Sequence, residues 1–113
     1  MTVNTTNIFS LKDIIMNTTE NYAPTIVKVE HRSDDDAEYE YKLTVRISDV
    51  TAGYKLPLYS VEVSMTSSDG KTTSAKCKDA FIDMGRALVF FDKIVRCNAT
   101  PIDLAYVYED ELN

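Results

Sequence analysis

The run Ser33-Asp34-Asp35-Asp36-Ala37-Glu38-Tyr39-Glu40-Tyr41 holds five carboxylates in nine residues. Carboxylates this dense could bind a divalent cation, divide acid and base roles, or present charge to a partner. A calcium loop takes oxygen ligands at alternate positions around a central Gly and closes on a distal Glu. This run has no Gly, and three consecutive carboxylates point in different directions in any turn or strand. A hydrolytic pair needs one carboxyl enclosed so that its pKa rises, and nothing apolar encloses Asp34, Asp35 or Asp36. The run reads as a solvated turn between two strands, with charge that discourages edge pairing.

Other catalytic ingredients are sparse. His31 is the only histidine, which rules out a histidine cluster for metal. In phase with Val27 and Val29, it reads as a partly buried sheet residue. No Ser stands in a nucleophile elbow, and Gly53, Gly70 and Gly85 are too scattered for a phosphate loop or a dinucleotide fingerprint. Cys77 and Cys97 form no C-x-x-C pair. Separated by a helix at ~1.5 Å per residue they would stand about 25–30 Å apart, too far for a disulfide. No catalytic, cofactor-binding or metal residue is therefore expected, and no cofactor. An enzyme using Asp and Tyr side chains in a sheet–helix groove is the lowest alternative.

The elements that position these residues follow from periodicity. Residues 1–9 read as a loose arm and 10–113 as a single domain. Ser10 can cap a helix through Leu11, Ile14, Ile15 and Tyr22 that stops at Pro24. Thr25–Arg32 alternates as a strand. Tyr39, Tyr41, Leu43, Val45 and Ile47 alternate with polar residues, as do Tyr59, Val61, Val63 and Met65, so each set faces a core. Ser68-Asp69-Gly70-Lys71 is a hairpin turn that leads into a fourth strand through Thr73, Ala75 and Cys77.

From about Lys78 the period becomes helical, with Phe81, Met84, Leu88, Phe91 and Val95 in one apolar stripe. Each buried large side chain there is worth about 1.5–3 kcal/mol. Thr100-Pro101-Ile102-Asp103 then offers a capped start, and this cap favours a final helix over a final strand. The expected fold is α+β: a two-layer sandwich in the order α-β-β-β-β-α, with a four-stranded antiparallel sheet and a short final element.

Two features could carry contacts. Tyr54 lies in the connection between two strands, where loop aromatics are available to partners. Phe90 and Ile94 sit on the side of the long helix away from the stripe. Either another element covers them or they meet a partner, a second copy of the chain included.

The chain carries a formal charge of -6, which argues against a general nucleic-acid binder and suits a protein partner with a basic surface. No apolar run is long enough to span a membrane, and the first residues lack a signal-peptide pattern. A cytoplasmic setting with reduced cysteines is expected. The leading reading is a non-enzymatic, acidic interaction protein, an inhibitor or adaptor that binds a basic, nucleic-acid-handling protein through Asp34, Asp35, Asp36, Glu38 and Glu40 at one end and Glu109, Asp110 and Glu111 at another. Viral proteins of the kind that phages direct against host defence share this description. The alternative is nucleic-acid binding through a local basic face of Lys76, Lys78, Arg86, Lys93 and Arg96.

Overall fold

The computed structural model describes residues 24–48 and 55–112. Strands β1 (Thr25–Ser33), β2 (Ala37–Ser48), β3 (Leu56–Ser67) and β4 (Thr72–Phe81) form one antiparallel sheet in the order β1-β2-β3-β4. Helices α1 (Met84–Arg96) and α2 (Pro101–Leu112) follow. The alternation in β2 and β3 sets their register: Tyr41 stands opposite Val63 and Leu43 opposite Val61. A slip of one residue would turn all four to the other face. The β3–β4 turn is closed by Gly70 N–H to Ser67 O at 2.9 Å, with Gly70 at φ 89°. Glycine alone enters that region without steric cost.

Both helices cover the face that carries Tyr39, Tyr41, Leu43, Val61 and Val63. Asp83 starts α1 by accepting from Arg86 N–H at 2.9 Å. Its end is a Schellman closure, with Asn98 at φ 52°, Ala99 N–H on Ile94 O and Asn98 N–H on Val95 O. The tight closure lets α2 start two residues on and run back beside α1. Thr100 Oγ1 accepts from Asp103 N–H at 3.2 Å while the Asp103 carboxylate accepts from Thr100 N–H at 3.1 Å. That reciprocal cap begins α2, as the sequence pattern indicates.

An aromatic group joins the layers. Phe90 lies 5.3 Å from Phe81 and 5.8 Å from Tyr108, and Tyr108 meets Phe81 edge-on at 5.7 Å. Two tyrosine hydroxyls leave this core toward backbone acceptors. Tyr41 donates to Ala99 O and Tyr108 to Ala80 O, each at 2.9 Å. Each bond fixes a helix segment to the sheet and spares a buried hydroxyl the cost of an unmade bond.

The architecture corrects the expected order. Four strands are followed by two helices, and no helix precedes the sheet among the described residues. The segment expected to form an N-terminal helix, 10–23, lies outside the described residues. The long helix starts at Met84 rather than near Lys78, because β4 continues to Phe81. Of the expected stripe, Phe81 and Phe91 are buried and Leu88 and Val95 pack partly buried against the core, but Phe81 belongs to β4 and Met84 lies outside. Met84 is 51% exposed, whereas Ala87, Phe90, Phe91 and Ile94 are fully buried. This second set has the spacing of one helical face.

β1 departs from expectation too. An irregularity between Ile26 and Lys28 shifts its phase, as a bulge does. Lys28, Glu30 and Arg32 therefore share the helix side with Leu43, Tyr41 and Tyr39, while Val29 and His31 stand opposite Lys42 and Glu40 on the open face. Lys28 reaches Asp92 of α1 at 3.2 Å, and Arg32 reaches the Asn98 side chain at 3.3 Å. Charged residues along this edge clamp the outer flank of α1.

On the open face, Arg46 makes a two-pronged pair with Asp79, at 3.1 and 2.8 Å. Asp79 N–H donates to Ser60 Oγ at 2.9 Å, so β2, β3 and β4 are tied in a row. Between Cys77 and Phe81, four residue steps of β4 face two of β3, from Val61 to Tyr59. Asp79 sits in this irregularity at φ 52°, and the detour returns Phe81 to the helix side opposite Tyr59.

Two stability predictions follow from this packing. Phe90→Ala should cost about 3–5 kcal/mol, and Val89→Ala, at an exposed position, less than about 0.5 kcal/mol. Urea unfolding checks both, and equal costs would contradict the assigned helix face. At Asp79, both Ala and Gly remove the pair with Arg46, but only Ala keeps a Cβ in the left-handed region. Asp79→Gly should be the less damaging by about 1 kcal/mol, and the reverse order would contradict the strain at this residue.

Candidate functional site

The carboxylates that dominate the sequence are held by hairpin geometry. In the β1–β2 turn, Asp34 N–H donates to Ala37 O at 3.0 Å. The Asp34 side chain accepts from the N–H groups of Asp36 and Ala37, each at 2.9 Å, and from the Tyr39 hydroxyl at 3.2 Å. These bonds favour the charged carboxylate, with the Asp36 and Ala37 amides first among the causes, and hold its pKa below the usual value of 3.8. Asp34 is thus a structural member of the turn. Its neighbours Asp35 and Asp36 are exposed.

A four-stranded meander brings its first and third turns to the same end of the sheet. Ser68 N–H donates to Asp36 O at 3.1 Å, linking the two turns directly. Asp69, in the β3–β4 turn, accepts from Ser67 Oγ and from Lys71 N–H, and these contacts depress its pKa. Asp103 at the start of α2 is near enough for its charge to raise the pKa of Tyr39 and Tyr41. Burial is the larger cause at both tyrosines and takes Tyr41 to about 12. One end of the molecule therefore gathers Asp34, Asp35, Asp36 and Glu38 from the first hairpin and Asp69 from the β3–β4 turn. An open depression there is lined by Asp34, Asp35, Asp36, Glu38, Thr66 and Ser68, among others.

From the sequence, Asp69 was read only as a hairpin-turn residue and Asp103 only as part of a helix cap. A usable signal existed, since turns one and three of a meander share an end. It became useful only with the strand order in hand.

The other candidates separate. Glu40 is half-buried on the open face and pairs with His31 Nε2 at 3.2 Å. His31 itself is 70% exposed in its side chain, not partly buried as its assumed phase implied. Phe90 and Ile94 are fully buried. Of the two explanations for them, internal cover is the one observed: β4 and α2 supply it through Phe81 and Tyr108. Neither residue lines an exposed interface. Tyr54 lies outside the described residues.

Residues proposed for a basic face are not brought together. Lys76 stands opposite Glu62 on the open side of the sheet, whereas Arg86, Lys93 and Arg96 belong to α1 in the other layer. Arg86 lies over the Phe81 ring and Lys93 faces Glu111 at 3.8 Å. Lys78 is exposed at the edge in β4.

Among the described residues, no group of three or more His, Cys, Asp or Glu side chains is placed to hold a metal ion. No described helix is long and apolar enough to cross a membrane. Cys77 and Cys97 are both free thiols, and burial raises the pKa of Cys77, which makes it a poorer nucleophile at neutral pH. No protein-family model, curated protein or solved structure matches the chain.

The Asp34 turn has a pH signature. A carboxyl with a depressed folded pKa adds stability above its unfolded value, and that contribution is lost as pH falls through the folded value. Asp34→Asn keeps an acceptor oxygen in the turn but removes the titration. The acid limb of stability, followed by urea unfolding from about pH 5 to pH 2, should therefore be flatter in Asp34→Asn than in the wild type. Identical limbs in the two proteins would contradict the assigned role of Asp34.

Proposed function

We propose that this protein is a non-enzymatic interaction module, an inhibitor or adaptor, whose acidic end docks on a basic surface of a nucleic-acid-handling protein. The observation that supports this reading is the convergence of carboxylates from the two hairpin turns, linked by Ser68 N–H on Asp36 O, at one end of the sheet. Carboxylates fixed in this way focus a negative field, which speeds encounter with a positive surface and orients it. The turn bonds of Asp34 and Asp69 prepay the ordering cost that a flexible acidic tail would meet on binding. Asp35, Asp36 and Glu38 remain exposed and supply the contacting charge. The phage-type version, in which the basic target belongs to a host defence system, is the most specific form of this proposal.

The test starts with capture of a basic partner from the native host on the immobilised protein, followed by association kinetics at varied salt. The variant Asp35→Asn/Asp36→Asn/Glu38→Gln leaves the Asp34 and Asp69 turn bonds in place. It should associate on the order of tenfold more slowly at low salt, with a flatter salt dependence and a smaller change in dissociation. Exposed charges contribute little to folding, so the urea midpoint should hold. A variant that associates at the wild-type rate reduces the acidic end to a solvated turn.

A further inference from the structure

Helix α2 is apolar on two sides. Pro101 and Leu104 are buried against the sheet, with Val107 and Tyr108 half-buried beside them. On the opposite side Ile102 is 77% exposed and Tyr106 66% exposed, one turn apart. Ala105 is also exposed between them. A surface helix that buries one stripe ordinarily carries polar residues on the other, so this outer stripe needs a separate explanation. It is not scattered exposure, since three consecutive facing positions are apolar.

Charge around the stripe narrows what could cover it. The sequence of α2, PIDLAYVYEDEL, contains no Lys or Arg. Asp103, Glu109 and Asp110 are exposed around the stripe. A second copy packed antiparallel about a two-fold axis would set Asp103 against the Glu109 and Asp110 of its mate, an uncompensated repulsion. An anionic lipid surface meets the same objection. On α1, Lys93 is engaged by Glu111 at 3.8 Å and Arg86 lies over the Phe81 ring.

We infer that the outer face of α2 seats a basic amphipathic helix of a partner protein. The partner's apolar stripe would pack on Ile102 and Tyr106, and its Lys and Arg side chains would meet Asp103, Glu109 and Asp110. Helix-on-helix recognition of this kind uses anchors one turn apart, as this face provides, and a tyrosine is a favoured anchor. The inference rests on the proposed docking role and narrows it: the acidic end steers, and α2 supplies the apolar contact that holds.

The chain has no Trp, so a Trp in a probe peptide reports binding without interference. The probe is a Leu/Lys amphipathic peptide with one Trp on its apolar side, and a Leu/Glu peptide of the same pattern is the control. The Leu/Lys peptide should bind with a blue shift of its Trp emission, and the Leu/Glu peptide should not. Ile102→Ser/Tyr106→Ser should weaken the Leu/Lys peptide about tenfold or more while leaving the urea midpoint unchanged. Wild-type affinity in this double variant overturns the inference, as does equal binding of the two peptides. Sedimentation that shows a wild-type dimer dissolved by the same double change also overturns it, because the occupant is then a second copy. The two proposals fail separately. Loss of fast association in Asp35→Asn/Asp36→Asn/Glu38→Gln, with no effect of the Ile102/Tyr106 change, keeps the acidic end and removes the α2 face.

Discussion

Phe90 must be enclosed, and the arrangement of both helices follows from how that is done. Its ring sits against Phe81 of β4 and Tyr108 of α2, so one side chain touches the sheet and the second helix at once. Aromatic side chains bury large areas and prefer tilted or edge-on contacts, and three mutual contacts of that kind fix the rotation of α1. With that rotation set, Ala87, Phe91 and Ile94 are also inside and Val89 is outside. The Tyr108 hydroxyl, bonded to Ala80 O, fixes α2 in turn. Once Tyr108 points inward, Ile102 and Tyr106 must point outward, because helical periodicity leaves them no other direction.

The same framework decides where charge accumulates. A meander needs tight turns at both ends, and turn chemistry favours Asp, Asn, Ser and Gly for their local hydrogen bonds. Asp34 and Asp69 are both used in that way. Stability of the turns and negative potential at one end thus have a common origin. At the edges the logic differs. Lys28 and Arg32 on β1 reach Asp92 and Asn98 of the α1 segment, and charged residues on an edge strand also discourage pairing with another chain. Polar residues in this protein therefore have two separate structural tasks: turn closure and edge protection.

What could be read from the sequence was whatever is local. The alternation of β2 and β3 led directly to the inward set Tyr39, Tyr41, Leu43, Val61 and Val63. Thr100 to Asp103 announced the cap of α2, and Gly70 the turn before β4. Failures came where a tertiary contact overrode a local pattern. Phe81 suits a helical stripe as well as a strand end, and only the irregularity at Asp79 shows that β4 carries it back to the core side. The extra residue near Val27 in β1 reversed the side assigned to Val29 and His31. For the candidate site, Asp34, Asp35, Asp36 and Glu38 were legible as a charged run, but the contribution of Asp69 depends on strand order. The exposed stripe of α2 was not singled out, because only the packing of Tyr108 on Ala80 and Phe81 shows which side of that helix meets the sheet.

Hydrogen exchange on the complex with a captured basic partner tests the central claim most directly, because it reports which backbone becomes shielded without altering any charge. New protection is expected at 34–38 and 68–71 and around the start of α2, with the open face around Thr44, Glu62 and Lys76 exchanging as in the free protein. Protection confined to that open face or to β4, with the two turns unchanged, would contradict the assignment of the acidic end as the docking site.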